Sequence, residues 1–564
     1  MSPLTLIFIL PLAAALVILL IPRNFRFLIR CVALAGTFLS MLVAINMFLH
    51  FNSAPAIQGF RFVEQHIWAP GLGISYHVGV DGINLGLILM GAIVVFAATA
   101  ISWSIKTREK EFYMLLLLMG GGILGAFASL DLFFFYFFHE LALVPTFIMI
   151  GVWGKGDQKN YATFQITLYL SLGALLVLLG LIGIYLQLPA PQRTFDIVGL
   201  TQYFKANPML LGPQRWIFPT LLFGFGVLVS LWPFHTWAPI GYGSAPAGTA
   251  MIHAGVLKKF GLYGLIRIAL PMMPEAAQHW VRVLSLLCLG NILYCGLVAM
   301  RQRNLNLLIG NSSVAHMGFA FLGIASLSLI GITGTVVVMV AHGFLAALTF
   351  ALSGYLRDEI HTLEIPQMGG LLRRLPFIGT AMIIAMLAGC GLPGFASFPG
   401  EALVLFGNWD RSALITGLAV WGALVIAGVY MLRAIRNIWH GEKEWSEIQD
   451  APTLWRRFPY GLLLAGLILF GCFPRLLTDN IKTSVASVVQ SVGVNPTESA
   501  AQISRIHSVE SVVIAKQVFA QSEERGARIS LADLHATNDE ALAQKNQAST
   551  TDSTEWTRLK TGSQ

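Results

Sequence analysis

Runs of about 20 apolar residues recur along this chain from Leu4 to Leu477, joined mostly by short loops. A bilayer core is about 30 Å thick and takes about 20 helical residues to cross. Inside it each backbone polar group must find a partner within the protein, which favours helices. On that ruler the sequence yields about fourteen spans: 4–21, 29–50, 82–104, 111–129, 132–153, 163–187, 217–238, 246–270, 281–300, 305–326, 330–354, 376–408, 411–433 and 457–477. Only 11% of the 564 residues are charged, against about 25% in ordinary soluble domains. The expected fold class is an all-α polytopic membrane protein. The stretch 4–21 has no basic segment before it and no small-residue cleavage site after it, so it reads as a retained span.

The net charge of +8 does not point to nucleic acid. Basic residues gather in alternate short loops: Arg23 and Arg26, Lys106 to Lys110, Lys155 and Lys159, Arg301 and Arg303, Arg373 and Arg374, Arg433 and Arg436. Such loops are retained in the cytoplasm. Both termini are then expected outside, in the periplasm of a bacterium whose inner membrane holds the chain. Cys31, Cys288, Cys295, Cys390 and Cys472 are scattered and form no CxxC. No metal, iron–sulfur or disulfide framework follows from them, and no nucleotide fingerprint is present. Any redox centre associated with this chain is expected elsewhere, with no cofactor bound here.

Two spans carry internal prolines. "LVSLWPFHTWAP" holds Pro233 and Pro239, and "GCGLPGFASFPGE" holds Pro393 and Pro399. Proline removes a backbone donor and breaks the helical ladder. The interruptions fall in spans seven and twelve, five spans apart. An odd offset reverses orientation, so spans four to eight and nine to thirteen suit two inverted repeats, and paired broken helices point to a transport path. The expected organisation is N-terminal helices over 1–110, repeats over 111–270 and 281–433, a loop and last span over 434–478, and a polar tail over 479–564. Within the tail, "SLADLHATNDEALAQ" could form one amphipathic helix.

Ionisable residues inside the spans carry the chemistry. "HAGVLKKFGLYG" sets His253, Lys258 and Lys259 in an apolar run. A lysine at the bilayer centre costs roughly 2.5–3.5 kcal/mol on the cheaper scale, so such residues face partners or water. Adjacent helical residues point about 100° apart, so the two lysines serve different neighbours. Snorkelling to the headgroups is the plain alternative, more so for Lys258. Glu140, beside His139, lies deep in span five, where a buried carboxyl changes proton affinity when a cation approaches or leaves. His316 in "SSVAHMGF", His342 in "MVAHGF" and Glu401 after the second break make a relay set, since histidine titrates near neutrality. His235 follows Pro233 and can line the path. Asp81 opens span three as a cap, and Arg267 and His361 read as interfacial or loop anchors.

These motifs, "FFHELALVPTFIMIGVWG", "WPFHTWAP", "HAGVLKKFGLYGLIR", "SSVAHMGF", "MVAHGF", "RDEIHT" and "GLPGFASFPGEALVLFG", resemble in order those of the antiporter-like chain M of respiratory complex I, the proton-translocating NADH:quinone oxidoreductase. The resemblance runs from about Ser2 to Phe473. It implies fourteen helices with two inverted five-helix repeats. It also implies a proton path through Glu140, Lys259, His316, His342 and Glu401. The implied partners are the other membrane-arm subunits, neighbouring antiporter-like chains among them, and the lipid bilayer. Quinone, NADH, FMN and iron–sulfur clusters are expected in those partner subunits.

One departure stands out. The family sets a lysine in span seven, five residues before the proline, to pair with the span-five glutamate. Here that position is Leu228. Lys258 replaces an apolar residue of the family pattern, so it can compensate by reaching toward Glu140. His253 resembles the "HA" found here in the sister chain L. The expected function is proton translocation coupled to quinone reduction in partner subunits. The alternatives are a subunit of a cation/proton antiporter or ion-coupled uptake system, and a membrane-arm spacer with impaired pumping.

Overall fold

The structure, a computed structural model, describes residues 2–445 and 448–493. All of these fall within one unit, Met1–Glu510. The expected tail helix over residues 530–544 lies outside the described residues.

Two helices, α1 (Pro3–Leu20) and α2 (Arg26–Leu49), lead into a three-stranded antiparallel sheet of β1 (Ala56–Ile57), β2 (Phe60–Ala69) and β3 (Ile74–Val80), in the order β1-β2-β3. Next come α3 (Gly82–Ile101), α4 (Glu109–Ala128), α5 (Leu132–Trp153), α6 (Lys159–Leu186), α7 (Ile197–Ala206), α8 (Leu211–Val229) and α9 (Trp237–Ser244). A composite helix, α10, covers residues 247–272 and contains two wide π turns, His253–Leu257 and Leu265–Ala269. Then follow α11 (Pro274–Arg301), α12 (Leu305–Ala325), α13 (Leu329–Ile360), α14 (Pro376–Gly389), α15 (Ser397–Trp409), α16 (Ala413–Trp439), α17 (Leu454–Cys472) and α18 (Arg475–Ser491).

Among the described residues ten helices are long and apolar enough to cross a membrane, or eleven if the bent pair α17–α18 counts as one. The sequence suggested about fourteen spans. The difference arises mainly where spans seven, eight and twelve are divided by breaks or wide turns into shorter pieces. Their apolar length is present, but no single helix carries it.

At the first break α8 ends at Ser230, in the left-handed region at φ 70°. The freed backbone groups meet Asn291. Its side-chain oxygen accepts from Trp232 N at 2.6 Å, and its amide donates to the carbonyls of Ser230 and Val314, each at 3.0 Å. Neighbours satisfying an opened helix are what a low-dielectric setting demands. At the second break, Ala396 N donates to the Leu467 carbonyl of α17 at 2.9 Å.

α12 and α13 are almost wholly buried, and α3, which packs on α13, is nearly as buried. α10 packs on α13 at a glycine contact. A Cβ at Gly255 would come 3.0 Å from the Gly343 carbonyl oxygen. That closeness brings the lysine turn of α10 against α13.

The sheet ties loops together. β3 bridges to Ser129, and Asp131, the N-cap of α5, accepts from Ser75 N at 3.0 Å. Glu64 on β2 accepts from the Thr5 hydroxyl at 2.6 Å and from Ser2 N at 2.9 Å. The Thr5 hydroxyl, the burial-opposing Ser2 contact and His66 hold the Glu64 carboxyl down at about 2.

The expected polar tail from Asp479 needs correction over its first residues. α18 continues to Ser491 and buries Leu477, Ile481, Val485, Val488 and Val489. It packs on α3 and α13, and Ser484 Oγ accepts from Gly82 N at 2.9 Å. A stripe with four-residue spacing is hidden there by the polar residues between its members.

Candidate functional site

α10 delivers two buried lysines. Lys259 Nζ donates to the Ala254 carbonyl at 2.7 Å and lies 2.8 Å from His342 Nδ1 on α13. The Ala254 carbonyl sits in the wide turn, five residues back, so the π turn itself supplies an acceptor for the lysine. The His342 and His316 ring centroids are 5.7 Å apart. His316 Nδ1 donates to the Ser312 carbonyl at 2.7 Å. A carbonyl only accepts, which fixes that nitrogen as the protonated one and turns Nε2 toward Glu401 Oε1, 3.6 Å away. All four side chains lie in the interior. Lys259, His342, His316 and Glu401 therefore form a file of titratable groups from α10 through α13 and α12 to α15.

The second break shapes the far end. Gly391 has φ +69°, and a Cβ there would meet Glu401 Oε2 at 2.8 Å. Only glycine takes this turn without cost and leaves the carboxylate in place.

Glu140 stands apart from the file. Its Oε1 is 3.5 Å from His139 Nδ1, and its side chain is 31% exposed at the outer face of α5. Glu140 Oε1 and His139 Nδ1 have no hydrogen-bond partner. The His139 ring stacks on Phe260, centroids 3.9 Å apart, one residue beyond Lys259. This stack is the packed link between the carboxylate and the lysine turn.

Leu228 is buried, facing Gly173 of α6 across a tight contact. Lys258 does not turn to Glu140. Its Nζ lies 3.4 Å from Ser313 Oγ on α12 and 5.5 Å from the centroid of the Tyr242 ring on α9. Among the described residues Lys258 forms no ion pair with Glu140, and its polar contacts lie on α9 and α12. Snorkelling fails, since Lys258 is 1% exposed. His253 sits between Trp237 and Tyr242, with centroids 5.5 and 5.3 Å away. His235 is buried, with Nδ1 3.2 Å from the Pro233 carbonyl.

Arg267 also departs from the sequence expectation. It is buried and donates to Asp81 Oδ1 at 2.5 Å and to Tyr263 Oη at 3.3 Å. A guanidinium at the end of a buried helix needs a carboxylate, and the cap of α3 provides it. His361 ends α13 in the left-handed region at φ 57°. The sequence reading missed Asn291, Tyr242, Tyr430 and the serines beside His316. Ser312 and Ser313 precede His316 by four and three residues, the spacing that puts side chains on one helix face, and this was the available signal.

The family described as "NADH:quinone oxidoreductase/Mrp antiporter, TM" matches residues 129–427. That stretch holds Glu140, both lysines, both histidines and Glu401. NADH-quinone oxidoreductase subunit M of Rhodobacter capsulatus is 33% identical over 507 residues, spanning 86% of this chain and 96% of that protein. The chain belongs to this family. Among solved structures, a chain of respiratory complex I from Thermus thermophilus superposes with a TM-score of 0.78 at 28% identity, covering 87% of this chain and all of that one. A chain of the Mrp complex from Dietzia sp. DQ12-45-1b shares the fold, with a TM-score of 0.74 at 19% identity over 87% of this chain and 98% of that one. Within this family the chain is an integral membrane protein of the antiporter-like type.

Proposed function

We propose that this chain is the M-type, proton-translocating membrane subunit of a complex I-type NADH:quinone oxidoreductase. The observation that carries the proposal is the buried file Lys259–His342–His316–Glu401 in a chain whose subunit M relative is aligned over nearly its whole length. Protons reach Lys259 from the cytoplasmic side, pass along the histidines and leave past Glu401. Glu140, coupled to the lysine turn through His139 and Phe260, sets the charge near Lys259. About fourteen crossings that include two inverted five-helix repeats, 111–270 and 281–433, suit such a path, with one broken helix in each repeat. Quinone, NADH, FMN and iron–sulfur clusters belong to partner subunits. The membrane is a bacterial inner membrane with both termini periplasmic.

The test uses the intact complex in sealed vesicles, with proton movement and quinone reduction measured together. Lys259→Ala and Glu140→Gln lower NADH-driven proton movement by about 10²-fold, the low end of what a positioned proton-transfer group contributes, with assembly intact. Full pumping by both variants refutes the path and favours a spacer role. Sodium- or potassium-driven proton exchange without NADH oxidation favours the antiporter reading instead.

A further inference from the structure

The file from Lys259 to Glu401 leaves Lys258 unused. Among the described residues no carboxylate forms an ion pair with it, and its ammonium meets one hydroxyl at 3.4 Å and one aromatic face. Close by, His253 Nδ1 and Tyr242 Oη are buried without hydrogen-bond partners. More than about 90% of buried polar groups in folded proteins are satisfied, so this cluster is costly as mere packing. A residue that exchanges a proton has a reason to sit there, because the neutral amine needs fewer partners than the ammonium.

A second line of polar groups leads away from it. Ser313 and Ser312 are consecutive on α12, and Ser312 Oγ accepts from Tyr430 Oη of α16 at 3.0 Å. Tyr430, His316 and Glu401 line one small cavity of about 10 Å³, beside the wide turn Gly422–Ala427 of α16. That is room for about one water molecule, with polar partners to hold it.

We infer that Lys258 is a second proton-holding residue, joined to Glu401 through Ser313, Ser312, Tyr430 and the cavity, so that two adjacent lysines reach one glutamate by separate routes. The Tyr430 hydroxyl first rotates to donate toward the cavity, so that Ser312 donates to it. In the transfer an Nζ–H bond breaks, each hydroxyl and water accepts one proton and gives up another, and the Glu401 carboxylate forms an O–H bond. The step between the two consecutive serine hydroxyls requires one bridging water molecule, and a second in the cavity completes the wire. Lysine ends neutral, glutamate ends protonated, and both serines, the tyrosine and both waters are unchanged. The direct histidine branch is closed to this route, since His316 Nδ1 is already committed to the Ser312 carbonyl. The second route gives the chain an additional buried proton site where Leu228 has removed one from span seven.

The inference rests on the proposed function, and the test separates the two. Lys258→Met, Lys258→Arg and Ser313→Ala are made in the intact complex, with Lys259→Ala alongside, and protons moved per NADH are measured in sealed vesicles. Arginine keeps the charge but does not release its proton. Lys258→Arg and Lys258→Met both lower proton movement roughly tenfold, below the full loss from a proton-transfer group because the Lys259 route persists. Ser313→Ala lowers it in the same direction. If Lys258→Arg pumps at the wild-type rate while Lys258→Met fails, Lys258 is a fixed charge and the inference is wrong. If both Lys258 variants pump normally while Lys259→Ala fails, the inference falls and the proposed function stands. If Lys259→Ala also pumps normally, the proposed function falls first.

Discussion

Asp81 performs two tasks with one carboxylate. Oδ1 accepts from Ile83 N at 2.9 Å at the start of α3, and it also receives Arg267 at 2.5 Å. Both residues are buried, at 4% and 7% exposure. Asp81→Ala removes the cap, worth about 1 kcal/mol. It also leaves a guanidinium buried without its counter-charge, which costs about 3–5 kcal/mol. The two losses share an atom and do not strictly add, so about 4–6 kcal/mol bounds the effect. Against a folded-state margin of about 5–15 kcal/mol, that is enough to impair assembly. Asp81→Asn retains a cap acceptor and isolates the charge loss. Asp81→Ala with Arg267→Met removes the stranded charge and should recover most of the loss. The assay is the amount of assembled complex on native gels, followed by thermal inactivation of what assembles. The expected order of stability is wild type, then the double variant, then Asp81→Asn, then Asp81→Ala. A double variant no more stable than Asp81→Ala would refute the reasoning, because an unpaired guanidinium would then not be the source of the cost. Arg267 lies eight residues beyond Lys259, about 12 Å along the helix at 1.5 Å per residue, so a loosened anchor should also slow pumping.

Gly391→Ala forces an L residue into the left-handed region, at about 1–2 kcal/mol, and pushes a methyl toward Glu401. Proton movement should fall while assembly persists, and protons per NADH is the check. Glu64, held down at about 2 from an ordinary 4.5, stabilises the docking of α1 above the ordinary value, and that stabilisation disappears as pH falls through the lower one. Rate-corrected hydrogen exchange at the start of α1 should rise over that window in wild type and be elevated throughout in Glu64→Gln. A protease added to sealed right-side-out vesicles should clip the chain beyond Gly493. Protection there, with cleavage in inverted vesicles, would overturn the proposed orientation.

The legible parts of the fold were those written in local pattern. The span read as 132–153 is the helix Leu132–Trp153, because a long apolar run with Asp131 before it and Gly154 after it admits little else. Pro233 and Pro393 announced the two breaks. The sheet over residues 56–80 went unread, although "FRFVEQHI" partly alternates, because the surrounding apolar runs dominate any reading by span length. The Asp81–Arg267 pair joins residues 186 positions apart, and no local pattern carries that. In the site, the titratable side chains of the file were visible as charges out of place. Their partners were not, because Asn291, Ser313, Tyr242 and Tyr430 are ordinary residues until the folded chain sets them against a lysine or a broken helix. Lys258 shows the limit most clearly. Helical geometry says that it diverges from Lys259, and only the wide turn decides where it goes.

The composition of the buried site also acts as a filter. Around Glu401 and the two lysines, His253, His316 and His342 offer nitrogen bases, and Glu401 is the carboxylate at the end of the file. Hard metal cations are held by several oxygen atoms at once, carboxylate, carbonyl and water together. A proton needs a single lone pair and binds nitrogen readily. An alkali ion entering this interior would find ammonium groups that repel it and imidazoles that solvate it poorly. On the proposed path, this nitrogen-rich lining favours a proton over an alkali ion.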